Sequence, residues 1–216
     1  MEDLLPRVIV VAIMLLVGFP VHEFAHALAA YRLGDSTARH LGRLTLNPVA
    51  HFDPLGGILL AVTFIASSFG FGWAKPTPVN PNNLEGGRYG EAIVAAAGPI
   101  SNLVLAIAAA LPLRYLIANP TLLNQIPLIV LDVMVLFVTI NLVLMVFNLF
   151  PIPPLDGSKV LFSFLPPQVS WRWRPMLEQY GFILLLLLFF FPPGASIGGR
   201  IIVPIIFGLR DLLVGV

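Results

Sequence analysis

Cysteine is absent from this 216-residue chain, which therefore has no disulfide bond, no thiolate nucleophile and no cysteine metal ligand. Charge is also scarce, because Asp, Glu, Lys and Arg make up only 11% of the residues, against about 25% in an average soluble domain. Twelve basic and eleven acidic residues leave a net charge of +1. This balance provides no basic surface for a polyanion, and we predict no nucleic-acid partner.

Long hydrophobic runs fill the space between the charges. The chain is 58% hydrophobic with a mean hydropathy of +0.93. Six stretches of 15 to 23 residues contain no Asp, Glu, Lys or Arg, namely 8–22, 54–74, 92–113, 115–131, 133–155 and 179–199. A helix that crosses a bilayer needs about 20 residues. The pattern predicts an all-α polytopic membrane protein and excludes a soluble globule or a disordered chain.

We predict about six transmembrane or membrane-inserted helices in a single domain covering 1–216. The expected helical segments are 5–33, 55–71, 91–117, 126–147, 155–165, 178–191 and 201–213. The stretch 55–71 is barely long enough to cross, so a re-entrant segment is an alternative, and the orientation of the chain stays open. The proline-rich stretch 72–83 cannot be helical and is expected to form a short extended loop.

The strongest chemical signal is His22-Glu23-Phe24-Ala25-His26, an H-E-x-x-H motif. Residues four apart share one face of a helix, so both imidazoles can bind one Zn²⁺ while Glu23 acts on the attacking water. Four His and five Glu in this chain give about 0.002 such motifs by chance. Two histidines capping a membrane helix are the alternative, but ionisable groups in apolar spans are costly and usually functional.

A catalytic zinc has three protein ligands and one open position. Without cysteine, the third ligand is His40, His51 or a carboxylate. Asp156 is the best carboxylate, because it follows the charge-free run 133–155 and three prolines that interrupt the helix. An isolated carboxylate there is costly unless it is paired or bound to a metal. A plain helix N-cap is the other interpretation of Asp156.

Four segments together resemble the site-2 protease family of intramembrane zinc metalloproteases: HEFAH, LNPVAHFDP, AGPISNL and NLFPIPPLDG, which begin at residues 22, 46, 97 and 148. In that family the two motif histidines and the Asp of the LDG motif bind zinc. The resemblance thus implies His22, His26 and Asp156 as zinc ligands, with Glu23 as the catalytic acid/base. Asn148, from the N-x-x-P segment, is implied to lie near the metal and to steady the substrate.

The resemblance also implies a function, namely hydrolysis of peptide bonds in transmembrane protein substrates with one Zn²⁺ per chain. We expect a multi-pass protein of the prokaryotic cell membrane, embedded in the lipid bilayer and able to form a homo-oligomer. Many relatives carry a PDZ or CBS domain; 216 residues leave room for neither, so a compact form with a core at about 5–165 and accessory helices at about 178–214 is expected.

Two other functions are open alternatives. The same His, Glu and Asp residues would suit the ion pathway of a transporter or channel, although no repeated halves are visible. A non-catalytic relative that only binds membrane helices is the second.

Several weaker candidates complete the set. His51 and Asp53 suit either orientation of a ligand or a structural turn. Interhelical hydrogen bonds suit Asn102 and Asn141 and are the alternative role of Asn148. Gly98 suits a kink or close packing. We also expect the 72–83 loop to pair with an unwound substrate segment.

Overall fold

The computed structural model describes residues 4–67, 72–191 and 196–215. These ranges contain helices and loops and no β-strand. The helices, in chain order, are α1 (Leu4–Ile13), a π-helix (Met14–Gly18), α2 (Phe19–Arg32), α3 (Thr37–His40), α4 (Pro48–His51), α5 (Pro54–Ser67), a 3₁₀ turn (Pro81–Asn83), α6 (Arg88–Ile117), α7 (Pro120–Leu123), α8 (Leu128–Asn148), α9 (Asp156–Phe164), α10 (Pro167–Phe190) and α11 (Ile197–Val214).

Within the described residues, three helices are long and apolar enough to cross a membrane: Leu5–Arg32, Arg88–Ile117 and Leu128–Asn148. The prediction of an all-helical protein is confirmed for the described residues. The number of spans is confirmed only as these three. The expected segment 55–71 is a helix that ends at Ser67, and its last four residues lie outside the described part of the chain.

The first of these spans is continuous through a π-helical turn. Ile13 and Phe19, on either side of this turn, both have helical backbone angles, so α1 runs directly into α2. Single π-turns inside α-helices often occur at functional sites. Here the π-turn ends at Gly18, directly before α2, which carries the H-E-x-x-H motif.

Helix α6 is the centre of the bundle. It packs against α2, α8, α9 and α11. Its buried face carries mostly small residues, among them Ala92, Ala95, Gly98, Ala106 and Ala110, and small residues let helix backbones approach closely. Because α6 contacts both α2 and α9, it brings together residues from the two ends of the sequence resemblance.

The proline-rich segment after α8 ends the helix and starts a new one at Asp156. Leu149 terminates α8, and α9 begins at Asp156 with Leu155 in an extended conformation. Gly157 permits this close turn, because a Cβ there would lie 2.7 Å from the Phe150 carbonyl oxygen and nearer still to that of Leu149. The sequence-predicted break is therefore what aims Asp156 into the bundle.

Helix α10 begins earlier than expected. The sequence predicts a helix over 178–191, whereas α10 starts at Pro167 and contains Pro175. The additional turns are held by Arg174, which binds both oxygens of Glu91 on α6 at 2.7 and 3.2 Å and also Glu178 at 2.9 Å. This tertiary ion pair extends the helix through a segment that looks like a polar connection in the sequence.

Candidate metal and catalytic site

The two motif histidines converge with Asp156. Their Nε2 atoms are 3.1 Å apart. Asp156 Oδ2 lies 3.3 Å from His22 Nε2 and 3.2 Å from His26 Nε2. His22 and His26 are 8% and 7% exposed. The three form the His/Asp/Glu group within the described residues that could hold a metal ion.

When the histidines are neutral, as metal binding requires, the hydrogen bonds behind the rings leave the facing nitrogens free of hydrogen. His26 Nδ1 lies 2.7 Å from the backbone oxygen of Val94, which can only accept, so this Nδ1 carries the proton. His22 Nδ1 lies 2.5 Å from Asn102 Oδ1. With both Nδ1 atoms as donors, two lone pairs and a carboxylate face one another.

This arrangement fits Zn²⁺. Ligands at about 2.0–2.1 Å in a tetrahedral site stand about 3.3 Å apart, close to the observed separations of 3.1 to 3.3 Å. The acceptors behind the histidine rings are also typical of zinc sites. Neither His40, which is exposed, nor the buried His51 belongs to the group.

Gly98 leaves the space in front of the ligands open. A Cβ at this position would lie 2.6 Å from His22 Nε2 and nearer still to His26 Nε2. Val94, Gly98 and Asn102 are spaced by four residues and share one face of α6. One face of α6 therefore surrounds the metal-binding group, with Gly98 before the Nε2 atoms and with Val94 and Asn102 behind the histidine rings; sequence reasoning missed this role.

Glu23 is held by the proline-rich loop. Its Oε2 accepts a hydrogen bond of 2.7 Å from the backbone N–H of Thr77, and the Thr77 hydroxyl donates at 3.0 Å to the Glu23 carbonyl. Residues 72–80 form no helix or strand, as predicted for the stretch 72–83, but its last three residues, Pro81–Asn83, form a 3₁₀ turn. Thr77 was not singled out from the sequence, because a contact across 54 positions leaves no local signal.

A cavity of about 590 Å³ contains these groups, and its lining includes His22, Glu23, His26, Asp156, Thr77 and Asn148. Asn148 Nδ2 donates to the Leu144 carbonyl at 2.9 Å. A primary amide has two N–H donors, so this bond occupies one of them. The site residues predicted from the sequence thus share one cavity.

His51 and Asp53 have structural surroundings. Asp53 Oδ1 accepts from the backbone N–H groups of Leu55 and Gly56, both at 3.0 Å, and so caps the start of α5. His51 Nε2 donates to the Thr45 carbonyl at 2.8 Å. These contacts agree with the structural-turn interpretation.

Asp35 fastens the far end of the loop. This buried carboxylate accepts hydrogen bonds from Thr37, from the backbone of Asn80 at 2.8 Å and from the Asn83 amide at 3.0 Å. Burial raises the pKa of Asp35, but the hydrogen bonds outweigh it and lower the pKa below its usual value. The loop that touches Glu23 is therefore tied to the chain just after α2.

Comparison with known proteins agrees with this site. The Bacillus subtilis protein named "Putative zinc metalloprotease YwhC" is 40% identical over 193 residues, covering 86% of this chain and 82% of its own length. The chain belongs to peptidase family M50, the site-2 proteases. The family's sequence profile matches residues 116–188, the part of this M50 protein that includes Asp156.

Two mycobacterial relatives share the name "Putative zinc metalloprotease Rip2". Those of Mycolicibacterium smegmatis and Mycobacterium tuberculosis are each 31% identical and cover 82% of this chain. The chain spans 65% of the length of each. No solved structure matches. Family membership confirms the predicted class, an intramembrane zinc metalloprotease, and nothing in the comparisons favours a transporter or a non-catalytic relative.

Proposed function

We propose that this site-2 protease hydrolyses peptide bonds of transmembrane protein substrates at the cavity between α2, α6 and α9. One Zn²⁺ per chain would be held by His22 Nε2, His26 Nε2 and Asp156. The observation that carries the proposal is the convergence of these three ligand atoms at 3.1 to 3.3 Å in the cavity that also contains Glu23.

The chemistry divides between the metal and the protein. Zinc, when bound, supplies Lewis acidity that activates water and polarises a carbonyl. Glu23 accepts the proton of the attacking water and delivers it to the leaving amine. Thr77 holds the Glu23 carboxylate in place through its backbone N–H. Asn148, with one amide N–H free of the Leu144 bond, donates to the substrate carbonyl as negative charge develops there.

A substrate helix must unwind before its carbonyl can react, because its backbone groups are already hydrogen-bonded. The loop residues Trp73, Pro76 and Val79 line the cavity. We propose that the unwound segment lies along this loop.

We further propose a multi-pass protein of the prokaryotic cell membrane, with α5, α10 and α11 as membrane segments beside the three long helices. Apolar side chains are exposed on α10, including Phe182 and Ile183, and on α11, including Ile201 and Phe207. Lipid would cover these groups. The expected homo-oligomer stays a prediction. Because the chain has no cysteine, single cysteines placed along α5, α10 and α11 can map the lipid-embedded residues with a water-soluble thiol reagent.

The proposed activity is tested by metal analysis and by cleavage of a test transmembrane substrate. Wild type should contain about one zinc per chain, and His22→Ala or Asp156→Ala should lose most of it. Glu23→Gln should keep zinc and fold but lose cleavage, because losing a general base costs about 10²–10⁴-fold. Cleavage by Glu23→Gln at the wild-type rate would contradict this mechanism, and full zinc occupancy in Asp156→Ala would contradict the ligand set.

A further inference from the structure

Two fully buried asparagines connect His22 to helix α8. Asn102 on α6 and Asn141 on α8 are both 0% exposed. Asn102 Oδ1 lies 2.5 Å from His22 Nδ1, Asn102 Nδ2 donates to Asn141 Oδ1 at 3.1 Å, and Asn141 Nδ2 donates to the Phe137 carbonyl at 2.9 Å. Three helices are joined by this polar chain.

The Phe137 carbonyl, at the end of this series of hydrogen bonds, determines which group donates in each of them. The Phe137 carbonyl can only accept, so the NH₂ group of Asn141 must face it and the Asn141 oxygen must face Asn102. An oxygen there requires the NH₂ group of Asn102, which turns the Asn102 oxygen toward His22. That oxygen can only accept, so His22 Nδ1 must donate and His22 Nε2 presents its lone pair to the cavity.

We propose that Asn102, supported by Asn141, is a positioning residue that sets the tautomer and ring orientation of His22 for metal binding. This inference rests on the proposed function. The Val94 backbone carbonyl orients His26 in the same way, by accepting from its Nδ1. Any residue at position 94 would supply this carbonyl. Of the two groups that bind the histidine Nδ1 atoms, only the one on Asn102 depends on a particular side chain. Losing such a partner typically weakens metal binding 10- to 100-fold.

The alternative is that the asparagines only join helices. Interhelical hydrogen bonds are the ordinary role of Asn in membrane bundles. That role predicts a lower melting temperature with unchanged zinc affinity, whereas the positioning role predicts weaker zinc binding.

The test measures zinc affinity by chelator competition, together with melting temperature, on purified full-length protein. Asn102→Leu, of similar shape but without an acceptor, should bind zinc about 10- to 100-fold more weakly. Asn102→Asp retains an oxygen acceptor for His22, and its second oxygen must be protonated to donate to Asn141 Oδ1 in place of the Asn102 amide; in this neutral form it should restore most of the affinity. Ser101→Ala is the matched control, because the Ser101 hydroxyl bonds within the same helix to Gly98 at 2.7 Å and should not affect zinc.

A double-mutant cycle tests the relay itself. Asn141→Leu should weaken zinc binding in the same direction by a smaller factor. Because Asn141 acts through Asn102, the double variant should bind zinc no more weakly than Asn102→Leu alone. Co²⁺-loaded variants should show a matching change in visible absorption. If Asn102→Leu does not fold, Asn141→Leu decides the question, because only the positioning role predicts weaker zinc binding in that variant.

The outcomes separate this inference from the proposed function. Wild-type zinc affinity in both Asn102→Leu and Asn141→Leu, in a wild-type protein that binds zinc and cleaves substrate, overturns the positioning role alone. Additive losses in the cycle overturn the relay through Asn141. A wild-type protein that binds no metal at all overturns both the proposed function and this inference.

Discussion

Gly98→Ala should distort the metal site without removing a ligand. The new Cβ would lie 2.6 Å from His22 Nε2, whereas ordinary contact begins at 3.4 Å. Either α2 and α6 must move apart or the imidazole rings must shift, in both cases by at least about 0.8 Å. Metal ligands must be held within about 0.5 Å of their working geometry. A misplacement of about 1 Å can cost 10²-fold in rate, and we expect at least this loss with weakened zinc binding.

Folding should survive the same change. Overpacking costs about 1–3 kcal/mol, and the better helix propensity of Ala returns about 1 kcal/mol, so the net loss is about 0–2 kcal/mol. Zinc content, cleavage rate and melting temperature should be measured together. Gly208→Ala in α11 is the matched control, since a Cβ there meets nothing within 4 Å. A Gly98→Ala protein with full zinc affinity and wild-type cleavage would refute the claim that the metal site needs the space left by Gly98.

Three further predictions concern Thr77, Asn148 and Asp35. Thr77→Pro, which removes the N–H that binds Glu23, should lower turnover by up to about 10²-fold at unchanged zinc content, while Thr77→Ala keeps the N–H and should lose much less; equal rates in the two variants would show that this bond is idle. Asn148→Ala should lower turnover by about 10²–10³ with normal zinc and melting temperature; unchanged turnover with slightly lower stability would leave Asn148 only its bond to Leu144. Asp35→Asn should lower the melting temperature at pH 7. Because the folded-state pKa of Asp35 is lowered, its stabilising effect is present above the unfolded value of about 3.9 and is lost as the pH falls through the folded value. The difference in melting temperature between wild type and Asp35→Asn should therefore shrink on acidification, and a constant difference would contradict this role.

The helices and the metal-ligand candidates could be read from the sequence because both depend on local spacing. The helical period places His22 and His26 on one face, and the charge-free windows mark the apolar spans. The prolines after residue 150 end α8 and leave Asp156 at the start of the next helix. The start of α10 was misplaced because a contact with Glu91 on a distant helix supports it.

Local spacing could not show which residues surround the ligands. From the sequence, Gly98 suits a kink or close packing and Asn102 suits an interhelical hydrogen bond, which it does make with Asn141. Thr77 is one residue of a proline-rich loop. Their roles arise from contacts between residues 54 to 80 positions apart in the chain.

The sequence by itself determined a helical membrane protein with an H-E-x-x-H pair and an available third ligand, since composition and periodicity carry that information. Only the tertiary structure decided that α6 packs against both α2 and α9, that Gly98 leaves the space before the ligands open, and that Asn102 faces His22. The physical reason is that an apolar helix in a membrane has no strongly amphipathic pattern to mark its inner face, so the face that packs is chosen by close contact between helices.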